Sequence, residues 1–112
     1  MFVKKLRNRD IFIFPEQQLD TDAVYEVINS YVDFNNLNLN DKAQKVLLFS
    51  NFIQFAVLNI DKIKEKTYQS ILKKADIVIK SDSFNYIKKK NRNMIIKSYF
   101  LLRKNTKNLS DI

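Results

Sequence analysis

The sequence predicts a mainly α protein: a compact bundle of about four helices around a buried second helix, with a short extended arm at the N-terminus. The first observation behind this is an absence. The 112 residues contain no glycine and a single proline, Pro15, so the two strongest helix breakers are almost missing. The second is periodicity, because beyond residue 20 apolar residues recur three and four positions apart through most of the chain. The third is the stretch from Val46 to Leu58, whose apolar residues cover nearly the whole circumference of a helix, as in a segment enclosed by other elements. A hydrophobic fraction of 46% and an aromatic fraction of 12% supply core material for one domain over 1–112 and argue against disorder.

Residues 1–14 read as an extended arm. Its tip is basic (Lys4, Lys5, Arg7, Arg9), and a β-like run, Ile11-Phe12-Ile13-Phe14, is stopped by Pro15. After a turn over 15–20, a first helix spans Thr21 to Phe34. Asp20 or Thr21 caps it, Asp22 and Glu26 suit its positive end, and Val24, Val27, Ile28 and Tyr31 form one stripe. The asparagine-rich segment 35–40 is expected to break it, since Asn side chains bond the local backbone in turns.

A second helix runs from Asp41 to Leu58 with Asn40 or Asp41 as cap. A third begins near Asp61, with Ile60, Ile63, Tyr68, Ile71, Leu72, Ala75 and Val78 inward and lysines outward. Its end is open to two readings, because Ile77-Val78-Ile79 is β-branched and suits either helix or a strand pairing with Ile11 to Phe14. A fourth helix is expected from Ser83 to Lys104, capped by Ser81, Asp82 or Ser83. Phe84, Ile87, Met94, Ile95, Leu101 and Leu102 make its core face, while Ile96 and Phe100 fall in its basic sector. Residues 105–112 read as a frayed polar tail.

Composition narrows the function classes. The chain has no His and no Cys, hence no imidazole base, no thiolate and no soft-metal ligand. Lacking Gly, it has no glycine-rich phosphate loop or dinucleotide fingerprint. Asp20 and Asp22 sit at a helix start, where carboxylates cap amides. A Ser or Thr nucleophile would need Lys as its base. The expectation is a non-enzymatic protein with no catalytic residues, no metal and no cofactor, working by binding. The longest uncharged run, Val46 to Ile60, has fifteen residues and four polar members. That is short of the roughly 18 apolar residues of a membrane span, so no membrane insertion is expected. No signal-peptide core is visible near the N-terminus, and the expected location is the cytoplasm, or the host-cell interior for a viral product.

Lysine outnumbers arginine 16 to 4, and Ile and Asn occur 13 times each. Such residues are written with A/T-rich codons, which points to an A/T-rich genome of the kind found in some bacteria, phages, mobile elements, large DNA viruses or parasites. Codon bias explains Lys in place of Arg but not the net charge of +8, which that exchange leaves unchanged.

Charge is sorted along the chain. Residues 1–9 carry +4, residues 10–41 carry seven acids and no base, and residues 42–112 carry a net +11. The acidic third can pair with the basic parts inside the fold, or the two can face different partners. The densest basic run is Lys88, Lys89, Lys90 and Arg92, continued by Lys97, Arg103 and Lys104, with Phe100 as a stacking residue. Cations neutralise phosphates and an exposed aromatic stacks on an unpaired base, so this helix is the candidate nucleic-acid surface of an accessory or regulatory protein. The alternative is an adaptor, inhibitor or assembly component. It would dock a protein through Ile11, Phe12, Ile13 and Phe14 and the acidic first helix, or exchange the arm between copies as a homo-oligomer.

Overall fold

A computed structural model describes residues 2–7 and 9–110, with side chains through residue 105. Chain order is β1 (Val3–Leu6), β2 (Arg9–Phe12), α1 (Thr21–Asn38), α2 (Lys42–Leu58), a 3-10 turn (Ile60–Lys62), α3 (Glu65–Ile79), α4 (Asp82–Tyr86) and α5 (Lys89–Ser110). The mainly α bundle is as expected, with five α-helices among the described residues rather than four.

The N-terminal arm is not a single extended segment but a β-hairpin, with Val3 opposite Phe12 and Leu6 opposite Arg9. The chain reverses after Leu6 through left-handed backbone, and with no glycine at hand Arg7 adopts it at φ 51°. The hairpin is held to the bundle by aromatic rings. Phe12, 3% exposed, has its ring centroid 4.8 Å from that of Phe14, 5.6 Å from Phe34 and 6.3 Å from Tyr31. Tyr31 in turn stacks on Phe52 of α2 at 4.2 Å with the rings within 5° of parallel. One aromatic cluster therefore joins hairpin, α1 and α2.

α1 starts where expected, with the Asp20 carboxylate accepting from the Ala23 amide at 2.8 Å. It runs past Phe34 to Asn38, because Phe34 continues the buried face of Val24, Val27, Ile28 and Tyr31. Burial on that face outweighs the turn preference of the asparagines. Asp41 caps α2 by accepting from Ala43 N–H at 2.7 Å. The interior of α2 is enclosed as its composition requires: Val46, Leu48, Phe49, Phe52, Ile53, Phe55 and Ala56 are buried. α2 packs on α5, α4 and α1, and α3 packs on α5 and α4.

Ile77 to Ile79 belong to α3 and pair with no strand; the partner of β2 is β1. Ile71, Ala75 and Val78 are buried at helical spacing, so periodicity prevails over β-branched propensity, while Ile77 points outward. The expected fourth helix is two. Ile87 is extended at φ −86°, ψ 161° and buried, so α4 ends there and α5 starts afresh after Lys88. The Arg92 guanidinium bridges the break by donating to the Asn85 carbonyl at 3.2 Å. The break resets the helical phase, and the buried face of α5 becomes Ile95, Ser98, Tyr99 and Leu102, with Leu101 exposed and Met94 half-buried. The expected tail is helical through Ser110, and residues 111–112 lie outside the described residues.

Asn59, fully buried, closes α2. Its Oδ1 accepts from Leu19 N–H at 2.8 Å, and its Nδ2 donates to the carbonyls of Phe55 (3.2 Å) and Gln17 (3.4 Å). Tyr31 is its opposite: the hydroxyl is buried with no hydrogen-bond partner among the described residues, and burial pushes the phenol above its ordinary value of 10.0. Asn59→Ala, which orphans several backbone groups, is expected to cost about 1–3 kcal/mol in urea unfolding. Tyr31→Phe removes an unsatisfied hydroxyl and is expected to raise stability by about 1 kcal/mol. Because the unfolded phenol ionises first, stability falls as pH rises past about 10, and Tyr31→Phe should flatten that alkaline loss.

Candidate nucleic-acid interface

The 22 residues of α5 include seven Lys or Arg and no Asp or Glu. Since Ile95, Ser98, Tyr99 and Leu102 face the core, the opposite side of the helix carries Lys90, Asn93, Lys97, Phe100 and Lys104, all exposed. These five stand three and four residues apart in one ridge, about 21 Å long at 1.5 Å per residue. Phe100 is 63% exposed, its ring meeting only the edge of Tyr99 at 5.8 Å among the ring contacts. Ile96, which spacing places beside it, is instead half-buried against the core.

Lys88, Lys89 and Lys90 are all exposed at the N-terminus of α5, where no acidic residue lies in the first turn. That end of a helix is already positive, so ammonium groups there are opposed by the dipole.

The two arginines are committed elsewhere. Arg92 holds the α4–α5 break as described, and Arg103 donates to the Tyr99 hydroxyl at 2.7 Å with its guanidinium 5.8 Å from the Tyr99 ring centroid. Tyr99 donates onward to the Asp76 carboxylate of α3 at 3.0 Å, and Tyr68 of α3 donates to the Leu102 carbonyl. These bonds set α3 antiparallel to α5. Of the expected contact residues, the structure therefore leaves Lys88, Lys89, Lys90, Lys97, Phe100 and Lys104 facing outward, and ties Arg92 and Arg103 into the fold.

α3 adds residues that reading α5 alone overlooks. Lys66, Lys73 and Lys80 recur every seven residues, all exposed, as a second lysine ridge on the helix beside α5. Their regular spacing on the polar face was the available signal. The acidic third does not neutralise these ridges. Asp20, Asp22, Glu26 and Asp33 are exposed, and among the described residues the ion pair within 4.0 Å is Lys62–Asp61 alone, at 3.6 Å.

The apolar run of the arm is divided by its strand geometry. Phe12 is in the core and Phe14 is half-buried against Tyr31, Phe52 and Phe55, so neither is free to dock. Ile11 and Ile13 are exposed. The one serine with a lysine three residues on is Ser70, before Lys73 on the exposed face of α3, and it donates to the Lys66 carbonyl at 3.2 Å. Among the described residues no cluster of three potential metal ligands forms, and no helix is long and apolar enough to cross a membrane.

Tyr99→Phe should cost about 1 kcal/mol in urea unfolding by cutting the Arg103–Tyr99–Asp76 chain. Oligonucleotide binding measured on the same variant should be unchanged, because the outward ridge is untouched. Comparison with protein-family models, with curated proteins and with solved structures finds no match, so the functional reading rests on this geometry.

Proposed function

We propose that the protein binds nucleic acid through the lysine ridge of α5, extended by that of α3, as a non-enzymatic accessory or regulatory protein. The observation that carries this reading is a long exposed helix face with seven basic residues on the helix, no acid, and no ion pair to those whose side chains are described. A face that served only for solubility would function with mixed charge, and mixed charge would stabilise the helix. Phosphates neutralise the lysines and release counterions. Phe100, exposed between Lys97 and Lys104, favours single strands, since a base must be unpaired to stack on it. Asn93 on the same ridge offers both donor and acceptor to a base edge.

The test is fluorescence anisotropy with labelled single-stranded and duplex oligonucleotides across a salt series. Binding to single strands should be tighter, and Phe100→Ala should remove most of that preference. Reversing Lys88, Lys89 and Lys90 to Glu removes three phosphate contacts, which should lower the slope of log K against log salt by about 2 for single strands. Glutamates complement the dipole at that end, so the same variant should be at least as stable as the parent. Parent-like affinity in this variant, or a loss of binding that tracks a loss of fold, would refute the reading.

A further inference from the structure

Of the nine Phe and five Tyr in the chain, all but two are buried or half-buried. The two left exposed are Tyr86, at 84%, and Phe100. Phe100 belongs to the basic face of α5, and Tyr86 stands just ahead of that helix, two residues before Lys88. The fold makes no use of the Tyr86 side chain, which has no hydrogen bond, ion pair or ring contact among the described residues. Aromatic rings carry large apolar areas, and packing accounts for the other buried and half-buried ones.

The two exposed rings lie on one side of α5. The Arg92 guanidinium donates to the Asn85 carbonyl at 3.2 Å, and that carbonyl shares a peptide unit with the Tyr86 amide. The Tyr86 backbone is thereby held against the side of α5 from which Arg92 projects. At about 100° per residue, Lys89, Arg92, Ile96 and Phe100 fall within about 80° of arc, so Phe100 is on that side too. Along the axis, Lys88 to Phe100 is about 18 Å at 1.5 Å per residue. α3 flanks the same side. Its Asp76 carboxylate accepts from the Tyr99 hydroxyl at 3.0 Å, and α3 runs antiparallel to α5. Lys80 therefore stands beside the stretch between the two rings, and Lys73 just past Phe100. Lys73, Lys80 and Lys89 are exposed, and none is in an ion pair among the described residues. Asp82, the acid nearest to Tyr86 in sequence, lies in the first turn of α4, where a carboxylate complements that helix's own positive end.

We propose that Tyr86 and Phe100 are a pair of stacking platforms for one single strand of nucleic acid, whose phosphates pass between them over Lys80 and Lys89. This rests on the reading of α5 as the nucleic-acid surface, and adds to it a second ring and the length of strand recognised. At about 3.4 Å per stacked nucleotide, the distance between the platforms is a run of about five nucleotides. Every base has a face to stack, so the pair selects unpaired bases and length rather than sequence. A strand that reaches both rings engages the second one intramolecularly, and binds more tightly than either ring alone allows. The lysines argue against a second copy of this chain as the occupant, because its own basic face would be brought against this one.

The experiment measures fluorescence anisotropy of the intact protein with two labelled strands of about ten nucleotides, an oligothymidylate and an abasic strand that keeps the phosphates without the bases. Tyr86→Ala, at an exposed position without side-chain partners, is expected to weaken oligothymidylate binding about fivefold or more, and to leave abasic-strand binding within about twofold of the parent. Tyr86→Trp, which gives the chain its only indole, is expected to keep the parent affinity. Its fluorescence should be quenched by the oligothymidylate and not by the abasic strand. The proposal is overturned, with the reading of α5 left standing, if the parent binds oligothymidylate and Tyr86→Ala binds it equally well. A loss that is equal for both strands, or an indole unquenched by bound oligothymidylate, overturns it as well. A parent protein that binds neither strand removes the reading of α5 itself, and the proposal with it.

Discussion

The enclosure of α2 is the constraint on which the rest of the structure depends. A helix apolar on nearly every side cannot stand in water, so other elements must be arranged around it. α5, α4 and α1 pack on it directly, and α3 closes against α5 and α4. The hairpin joins through aromatic contacts, with Phe12 and Phe14 reaching Tyr31, Phe34, Phe52 and Phe55. With no disulfide, no glycine and a single proline, this contact set, rather than any covalent or turn-based device, defines the fold.

The candidate surface follows from what that enclosure leaves over. α5 spends Ile95, Ser98, Tyr99 and Leu102 on the core and presents lysines on the far side. α2 spends almost its whole circumference and keeps one stripe, where Asn51 sits between Leu47 and Leu58. β2 gives Phe12 to the core and keeps Ile11 exposed. The polar groups that are buried act in opposite directions. Asn59 is fully bonded and fixes the 15–20 turn to α2, while Tyr31 keeps its ring in the aromatic stack with its hydroxyl unpartnered. Charge is organised by the same economy. The acids of α1 are not used to neutralise the lysines of α3 and α5, so positive potential stays on the outer face of the bundle.

Much of the architecture was legible in the residues because helical periodicity is a local property. The mainly α class, the burial of α2, the start of α1 at Asp20 and the cap at Asp41 each rest on side chains within a few positions of one another. The outward position of Lys90, Lys97, Phe100 and Lys104 was legible for the same reason. The tertiary structure alone decided matters of pairing and phase. Ile11 and Phe12 became part of a hairpin strand because the residues before them, not Ile77 to Ile79, pair with it. The asparagines after Phe34 stayed helical because Phe34, packed on Phe12, carries the buried face past them. The break at Ile87 rotated α5 so that Ser98 and Tyr99 faced inward and Leu101 outward, which spacing counted through a continuous helix could not show. Arg92 and Arg103 became structural because their partners, Asn85, Tyr99 and Asp76, were brought to them by that rotation. The sequence determined by itself which faces are apolar and which are charged, since that is written residue by residue; which faces meet depends on contacts between distant segments and exists only in the folded chain.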